Sequence, residues 1–254
     1  MLLAIDAGNS NIVVGLIEND EIIKVFRVST DTSKTEDEYL ISFRQLMDVG
    51  GVDYKKIDGA IICSVVPPIK SALTGAVKMM TGVDPLIVSA QLNTGLNIDI
   101  DNPAQLGSDL IADAVAAVND YPLPAIVFDM GTATTISVID RNSRYLGGVI
   151  MPGLRLSLNA LSSNTSQLPK VSIEAPESCI GRNTVDCMKS GSIFGAASMM
   201  DGMIERIEDE LGEKATVIAT GGLAQYVVAE CRRNVICDDN LLLRGLNKLY
   251  RMNK

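Results

Sequence analysis

The sequence predicts an α/β protein built from two similar halves with a cleft between them. Two apolar strands each end in an aspartate, at Asp6 and Asp129, and a turn containing glycine follows each of them. Each of these strands opens a run of three strands, and helices with further strands follow each run. The two aspartates lie 123 residues apart in a chain of 254, about half its length. Such a duplication favours two similar domains, and a cleft between domains is a common place for a ligand.

The first half is predicted to hold three strands, then helix, strand, helix and strand. Apolar β-branched residues favour the strands. Thr35 followed by Glu38 is a capping-box pattern that begins the first helix. In order, the elements are strands at 2–6, 12–17 and 22–28, a helix that begins after Thr35, a strand at 59–66, a helix at about 69–80 and a strand at 86–88.

The second half also opens with three strands, and helices and a further strand follow them. Its elements are strands at 125–129, 134–139 and 145–150, helices at about 153–162 and 184–211, a strand at 215–220, a helix after Gly222 and a final amphipathic helix that carries Leu241 to Leu249. The largest irregular stretch is expected at about 163–180. We therefore predict an N-terminal domain over 1–115 and a C-terminal domain over 116–254.

The chain contains no histidine, and this excludes several kinds of active site. A Ser-His-Asp triad, a Cys-His dyad, an H-E-x-x-H zinc site and a proximal haem histidine all need one. If the protein is an acid–base enzyme, the expected base is a carboxylate, ahead of Lys, Tyr or Cys. The five cysteines form no CxxC pair, and we expect them to be buried apolar residues without zinc.

Charge and hydropathy argue against two kinds of partner. The formal net charge of -9 disfavours binding to nucleic acid, since such proteins usually carry a basic face. Asp6 interrupts the first apolar run and no basic residue precedes it, so a signal peptide is not expected. No apolar run approaches the roughly 20 residues that cross a bilayer. We therefore expect a cytoplasmic protein that binds neither membranes nor nucleic acid.

The repeated Asp-x-Gly turn suggests a phosphate site. Glycine lets the backbone come close to a ligand, and N–H groups with an Asn or Thr side chain can donate to phosphate oxygens. A carboxylate beside a polyphosphate requires a cation between them, so Mg²⁺ or another hard cation is implied. One such turn is weak evidence, because Asp-Gly turns between strands are common, but two copies at matching places are stronger. No P-loop occurs, and no G-x-G-x-x-G pattern follows a strand.

Asp109 is the candidate base for a phosphate-transfer reaction. Such a reaction needs a group that orients and deprotonates the acceptor hydroxyl. The segment 102–113 offers an aspartate about one turn into the helix that precedes the second half, and Gly107 leaves room for a ligand near the backbone. The alternative is that Asp109 only complements the helix dipole, and the residues alone leave both interpretations open.

Together these motifs resemble the type III pantothenate kinase family, part of the superfamily of acetate and sugar kinases, Hsp70 and actin. The resemblance runs over nearly the whole chain, and several ordered motifs at suitable spacings make it specific. The motifs are residues 6–10, 107–110, 129–133, 147–153, 160–161 with Thr165, 168–169, 180–184 and 190–191. The resemblance implies duplicated ribonuclease H-like, actin-like ATPase domains with an interdomain cleft. It also implies ATP-dependent phosphorylation of pantothenate, the first step of coenzyme A synthesis.

The resemblance further implies site residues, cations and an assembly. Asp109 is the implied general base, and Asp6 helps to place the metal. Asp129 binds a monovalent cation, K⁺ or NH₄⁺, while Thr132 contacts ATP. Thr184 contacts pantothenate, and the family site forms at a homodimer interface. By the same resemblance, the pantothenate site is lined by Gly107, Ser108, Asp109 and Leu110, and the ATP phosphates are held by Asp6, Ala7, Gly8, Asn9, Ser10, Asn11, Ile12 and Val13.

Two positions depart from the family pattern on the substrate side. The family often has Arg directly after the catalytic Asp, where this chain has Leu110, and Tyr two residues before the Asn-Pro pair, where it has Ile100. Either Arg182 or Asn164 supplies a contact instead, or the pocket is more apolar. Two alternatives to the implied function stay open. One is a non-catalytic regulatory or accessory protein on the same scaffold, and the other is a kinase for another small hydroxylated metabolite.

Overall fold

The computed structural model describes residues 1–254, which form two compact units. The first unit comprises Met1–Gly95, Asp101–Ala116 and Asn240–Lys254, and the second comprises Leu96–Ile100 and Ala117–Asp239. The change of unit after residue 116 lies one residue beyond the end of the predicted N-terminal domain. The units are interleaved along the chain, however, because the C-terminal segment belongs to the first unit and the short segment 96–100 to the second.

The chain forms eleven strands and seven α-helices, numbered here in chain order. The strands are β1 Leu2–Ala7, β2 Asn11–Glu18, β3 Glu21–Ser29, β4 Gly59–Ser64, β5 Leu86–Ile87, β6 Asn97–Ile98, β7 Ala125–Met130, β8 Ala133–Ile139, β9 Arg144–Pro152, β10 Thr216–Thr220 and β11 Ile236–Cys237. The helices are α1 Glu36–Gly50, α2 Pro67–Thr81, α3 Ser108–Asp120, α4 Leu154–Asn164, α5 Thr184–Leu211, α6 Ala224–Val228 and α7 Leu241–Met252. Short 3₁₀ turns lie at Tyr54–Lys56 and Pro103–Gln105.

The predicted capping box begins α1. The Thr35 N–H donates to Glu38 Oε2 at 2.8 Å, and the Glu38 N–H donates to Thr35 Oγ1 at 3.4 Å. These two bonds satisfy donors that the first turn of a helix leaves without an intrahelical acceptor. Tyr39, Phe43 and Met47 follow at intervals of four residues and are fully buried, which is why this helix shows its apolar spacing in the sequence.

The first unit contains a five-stranded sheet in the order β3-β2-β1-β4-β5. β1 pairs antiparallel with β2 and parallel with β4, so that Asp6 lies beside Cys63 and Ala7 beside Ser64 at one end of the pair. A core of buried side chains joins this sheet to α1 and α2, and α7 packs against β1 and β4. This burial on both faces explains why the sequence of β1 is continuously apolar up to Asp6.

The second unit repeats this sheet with one strand added. Its order is β11-β10-β7-β8-β9-β6, and β9-β8-β7-β10-β11 has the order and pairing directions of β3-β2-β1-β4-β5 in the first unit. The additional strand β6 pairs parallel with β9 at the edge. The shared strand order confirms the duplication that the two Asp-x-Gly turns predict.

Two strands, β6 and β11, were not predicted. Each is two residues long, too short to show a period of alternating side chains, and each is defined only by the neighbour with which it pairs. No helix in the structure combines the length and the hydropathy that crossing a bilayer requires.

Candidate active site

The first Asp-x-Gly turn, residues 8–11, connects β1 to β2 and follows Asp6 directly. Its backbone is closed by a hydrogen bond from the Gly8 N–H to the Asn11 carbonyl at 3.0 Å. Thr30, just after β3, braces the turn from outside, because its hydroxyl donates to the Gly8 carbonyl at 2.6 Å and its N–H to the Ser10 carbonyl at 3.0 Å. The turn is thus held in one shape by its own sheet.

The side chains of segment 6–13 differ in what they can contact. Ala7 and Ile12 are fully buried in the core of the first unit, so only their main chain could meet a nucleotide. Asn9 and Ser10 are exposed at the tip of the turn. An amide and a hydroxyl at this place, with the backbone of a glycine-containing turn, suit a phosphate ligand.

Asp109 is the second residue of α3, which begins at Ser108. The prediction that it lies about one turn into the helix was therefore wrong, because the preceding 3₁₀ turn over Pro103–Gln105 delays the start of α3. Gly107 accommodates the Asp109 side chain, since a Cβ at that position would overlap Asp109 Oδ1. The same oxygen accepts a hydrogen bond from the Leu110 N–H at 2.8 Å.

Asp6, Asp109 and Cys63 share one electrostatic environment in the first unit. Burial raises the pKa of Asp109, and the bond from the Leu110 N–H offsets only part of this effect. Burial, followed by the charges of Asp6 and Asp109, raises the pKa of the Cys63 thiol well above its ordinary value. Two carboxylates from different elements, β1 and α3, therefore lie within electrostatic reach of one buried sulfur.

The second Asp-x-Gly turn follows Asp129 and is one residue shorter than the first. Ala7 pairs with Ile12, which leaves four residues in the first turn, whereas Met130 pairs with Thr134, which leaves residues 131–133. The Gly131 N–H donates to the Ala133 carbonyl at 3.0 Å, and the Gly153 N–H donates to the Thr132 carbonyl at 3.1 Å. The Thr132 side chain is exposed.

Oxygen atoms and a close glycine surround Asp129. Gly221, just after β10, has φ of 92°, and a Cβ there would come within 2.8 Å of Asp129 Oδ1 and 2.7 Å of the Met130 carbonyl oxygen. Thr135 pairs with Asp129 across the β7–β8 ladder, and its buried Oγ1 has no hydrogen-bond partner. A buried hydroxyl that lacks a hydrogen-bond partner, next to a carboxylate, is suited to binding a cation that prefers oxygen ligands.

Thr184 begins α5 in the second unit. The Asn183 side chain caps this helix by accepting from the Asp186 N–H at 2.9 Å. Thr184 lines a cavity of about 360 Å³ whose other walls are largely apolar: Leu158, Leu161, Leu168 and Met188. The hydroxyl is therefore a polar group at the edge of an apolar cavity.

Two positions depart from the family pattern, and two other residues were suggested to replace their contacts. The burial and contacts of these four residues are as follows. Leu110 and Ile100 are half-buried, and Ile100 packs near Gly147 of β9. The Asn164 amide donates to the Ala160 carbonyl at 2.9 Å and so closes the end of α4, whereas Arg182 is exposed. Of the two suggested substitutes, Asn164 already serves the end of its helix, whereas Arg182 is an exposed charged residue.

The sequence interpretation missed Cys63 and Thr30. The prediction that the five cysteines are buried holds fully only for Cys63, since Cys179, Cys187 and Cys237 are exposed and Cys231 is half-buried. The Cys63 thiol, moreover, donates a hydrogen bond to Ser108 Oγ at 3.2 Å. Its place at the end of a buried strand, parallel to the strand that ends in Asp6, is the signal that could have identified it. Nothing in the sequence marks Thr30, because its contacts depend on the β2–β3 pairing.

Comparison with known sequences gives a consistent result over the whole chain. The family model for type III pantothenate kinases matches residues 2–206. The type III pantothenate kinases of Halalkalibacterium halodurans and Brevibacillus brevis are each 42% identical to this chain, over 253 and 254 residues, and each match covers 100% of both sequences.

Solved structures match the fold at much lower sequence identity. A Campylobacter jejuni protein provisionally named a Baf family transcriptional activator has a TM-score of 0.62 and 23% identity, with 99% of this chain and 98% of that chain covered. A ROK family glucokinase of Streptomyces griseus, solved with glucose and AMPPNP, has a TM-score of 0.52 and 14% identity, with 98% and 99% covered. These likenesses confirm the predicted duplicated actin-like ATPase fold.

Proposed function

Because this chain belongs to the type III pantothenate kinase family and therefore phosphorylates pantothenate with ATP, we propose that Asp109 is the base of the transfer. In this reaction the pantothenate hydroxyl oxygen attacks the γ-phosphorus of ATP, ADP leaves, and the hydroxyl proton passes to a carboxylate oxygen of Asp109. The observation that carries the proposal is the position of Asp109, half-buried in the first turn of α3 and sharing an environment with Asp6.

The raised pKa of Asp109 suits this role. An aspartate with an ordinary pKa near 3.8 is a weak base at neutral pH, and burial moves the pKa upward, towards the range in which a carboxylate accepts a proton more readily. In its carboxylate form, Asp109 can accept a hydrogen bond from the pantothenate hydroxyl and orient it before the transfer. Phosphoryl transfer depends chiefly on such positioning and on charge neutralisation.

The ATP phosphates are assigned to the first Asp-x-Gly turn, and Mg²⁺ to Asp6. No group of three or more metal-binding side chains occurs in the structure. Mg²⁺ in phosphotransferases is usually held by one or two carboxylates together with substrate phosphates and water, so a single aspartate beside a phosphate-binding turn fits this kind of site. When bound, the ion neutralises charge on the phosphates.

A monovalent cation, K⁺ or NH₄⁺, is assigned to Asp129. The carboxylate, the buried Thr135 hydroxyl and the Met130 carbonyl beside Gly221 form an oxygen-rich donor set that fits such an ion. Thr132, at the tip of the same turn, is proposed to contact ATP through its exposed hydroxyl. When bound, such a cation would supply positive charge, and the Asp129 carboxylate would hold it.

Pantothenate binding is assigned to segment 107–110 and to Thr184, in a homodimer. The apolar cavity that Thr184 lines suits the dimethyl group of the substrate. Large exposed hydrophobic side chains at Leu156 and Leu161 of α4, at Ile180 and at Val185 of α5 support a contact with a second copy. We place the enzyme in the cytoplasm, where ATP is available as phosphoryl donor.

The assay that tests the proposal follows ADP release and phosphopantothenate formation by the purified protein. With ATP, Mg²⁺ and pantothenate, we expect turnover in K⁺ and much slower turnover when Na⁺ replaces it. A panel of other small hydroxylated metabolites serves as the substrate control. Tight nucleotide binding without any product would contradict the proposal and favour a regulatory protein on this scaffold.

A further inference from the structure

A chain of hydrogen bonds ties the start of α3 to the end of β4. The Cys63 thiol donates to Ser108 Oγ at 3.2 Å, and the Ser108 hydroxyl donates to the Ser64 carbonyl at 3.2 Å. Cys63 and Ser64 are the last two residues of β4, and Ser108 is the first residue of α3. The three residues therefore join two elements that are more than 40 positions apart in the sequence.

We infer that Cys63 and Ser108 are positioning residues that fix the first turn of α3, and with it the Asp109 carboxylate, relative to Asp6. The inference rests on the proposed role of Asp109 as base. Ser108 can still line the pantothenate site, but it cannot donate its hydroxyl proton there, because that proton is already donated to the Ser64 carbonyl.

The register of the sheet supplies the connection to Asp6. Cys63 lies directly beside Asp6 in the parallel β1–β4 ladder. Asp109 directly follows Ser108 in the chain. If Ser108 moves away from Cys63, the distance between Asp109 and Asp6 therefore changes as well. A misplacement of about 1 Å in a catalytic group can cost on the order of 100-fold in rate.

The thiol acts as a neutral donor in this chain. Cys63 is fully buried, and burial together with the nearby carboxylates of Asp6 and Asp109 raises the pKa of the thiol well above its ordinary value. The S–H group therefore stays protonated at neutral pH and can donate to Ser108 Oγ. A serine at position 63 would keep a donor, whereas an alanine would remove it.

The test compares steady-state kinetics of the wild-type enzyme with Ser108→Ala, Cys63→Ala, Cys63→Ser and the double variant. We expect Ser108→Ala to lower kcat by about 10- to 100-fold, with KM for ATP and pantothenate within about two-fold. Cys63→Ala should have a similar effect, and Cys63→Ser should restore most of the rate. The two alanine changes should not multiply, because both break one chain.

The pH profile separates positioning from general loss of stability. A carboxylate that loosens towards water loses part of its burial, so the acid limb of kcat should move to lower pH in Ser108→Ala. Cys231→Ala is the matched control, since Cys231 is a half-buried cysteine of the second unit that packs on Met200. It should change neither kcat nor the acid limb.

Several results would overturn the inference. One is a Ser108→Ala variant with the kcat and the acid limb of the wild type. Another is a Ser108→Ala variant in which only the KM for pantothenate rises, because this would indicate a direct substrate contact. Full multiplication of the two alanine effects would show that the residues act separately. An inactive wild-type enzyme would instead overturn the proposed function, and the inference with it.

Discussion

At the scale of single residues, the burial of Asp109 has opposite consequences for catalysis and stability. Burial raises its pKa, which makes the carboxylate a better base, but the folded protein then holds a charge that would be better solvated in the unfolded chain. Proteins commonly lose stability in this way at functional sites. If Asp109 only interacted with the dipole of α3, no such cost would be expected, because a solvated aspartate in the first turn of a helix stabilises that helix.

We predict that Asp109→Asn has a higher free energy of unfolding than the wild type at neutral pH. A raised pKa means that the folded state binds more protons than the unfolded state, so wild-type stability falls as pH rises from the ordinary value of 3.8 through the raised pKa. The advantage of the variant should therefore be full above that window and vanish below it. Urea unfolding at several pH values measures this, and a less stable variant at pH 7 would contradict it.

We predict that Gly221→Ala lowers stability and weakens the binding of K⁺. The added Cβ would press on Asp129 Oδ1 and the Met130 carbonyl, at a backbone conformation that alanine adopts poorly. The loss should be about 1–3 kcal/mol, with a higher K⁺ concentration needed for half-maximal rate. Gly195→Ala, in the middle of α5 with open space around it, is the control and should stabilise the helix slightly. Equal behaviour of the two variants would refute the assignment.

At the scale of elements, one buried carboxylate fastens the end of α5 to the segments around β10. Glu208 is 4% exposed and accepts bonds from Lys214, from Arg233 and from the Ala215 N–H. Burial alone would raise the pKa of Glu208, but these bonds hold it below its ordinary value. The fastening keeps the long helix in place against the sheet that carries Asp129.

We predict that Glu208→Gln lowers the free energy of unfolding by about 2–3 kcal/mol, because it removes hydrogen bonds to a buried charge. Since the pKa is lowered, the wild-type contribution is complete above 4.5 and disappears as pH falls through the lowered pKa. Glu213→Gln, which breaks a surface pair with Arg141, is the control and should cost clearly less. Chemical denaturation at pH 7 and pH 3 distinguishes the two, and equal losses would contradict the fastening.

For the whole molecule, the duplication could be predicted from the sequence, but the differences between the two halves could not. Asp6 and Asp129 reveal the duplication, because each ends an apolar strand and is followed by a turn that contains glycine. The shorter second turn and the return of α7 to the first unit depend on pairing and packing between distant residues. For the same reason Cys63 looked like an ordinary core residue, since its partner lies 45 positions away on α3.

We predict that the protein sediments at about twice its chain mass of 27.1 kDa. Exposed leucines on α4 are the proposed contact, so Leu156→Glu should shift the equilibrium towards the monomer and reduce activity if the site forms at the interface. Val49→Glu on α1 is the control, because Val49 is 88% exposed in the first unit. A monomeric, fully active wild-type protein at assay concentrations would contradict the assembly.

The role of Asp109 as base is tested most directly by the initial rate of phosphopantothenate formation. The rates of the wild type and of Asp109→Asn are compared with ATP, Mg²⁺ and K⁺ at saturating concentrations. We expect clear wild-type turnover and a kcat lower by about 10²- to 10⁴-fold in the variant, with an unchanged circular dichroism spectrum. Equal rates for the two proteins would show that Asp109 is not the base.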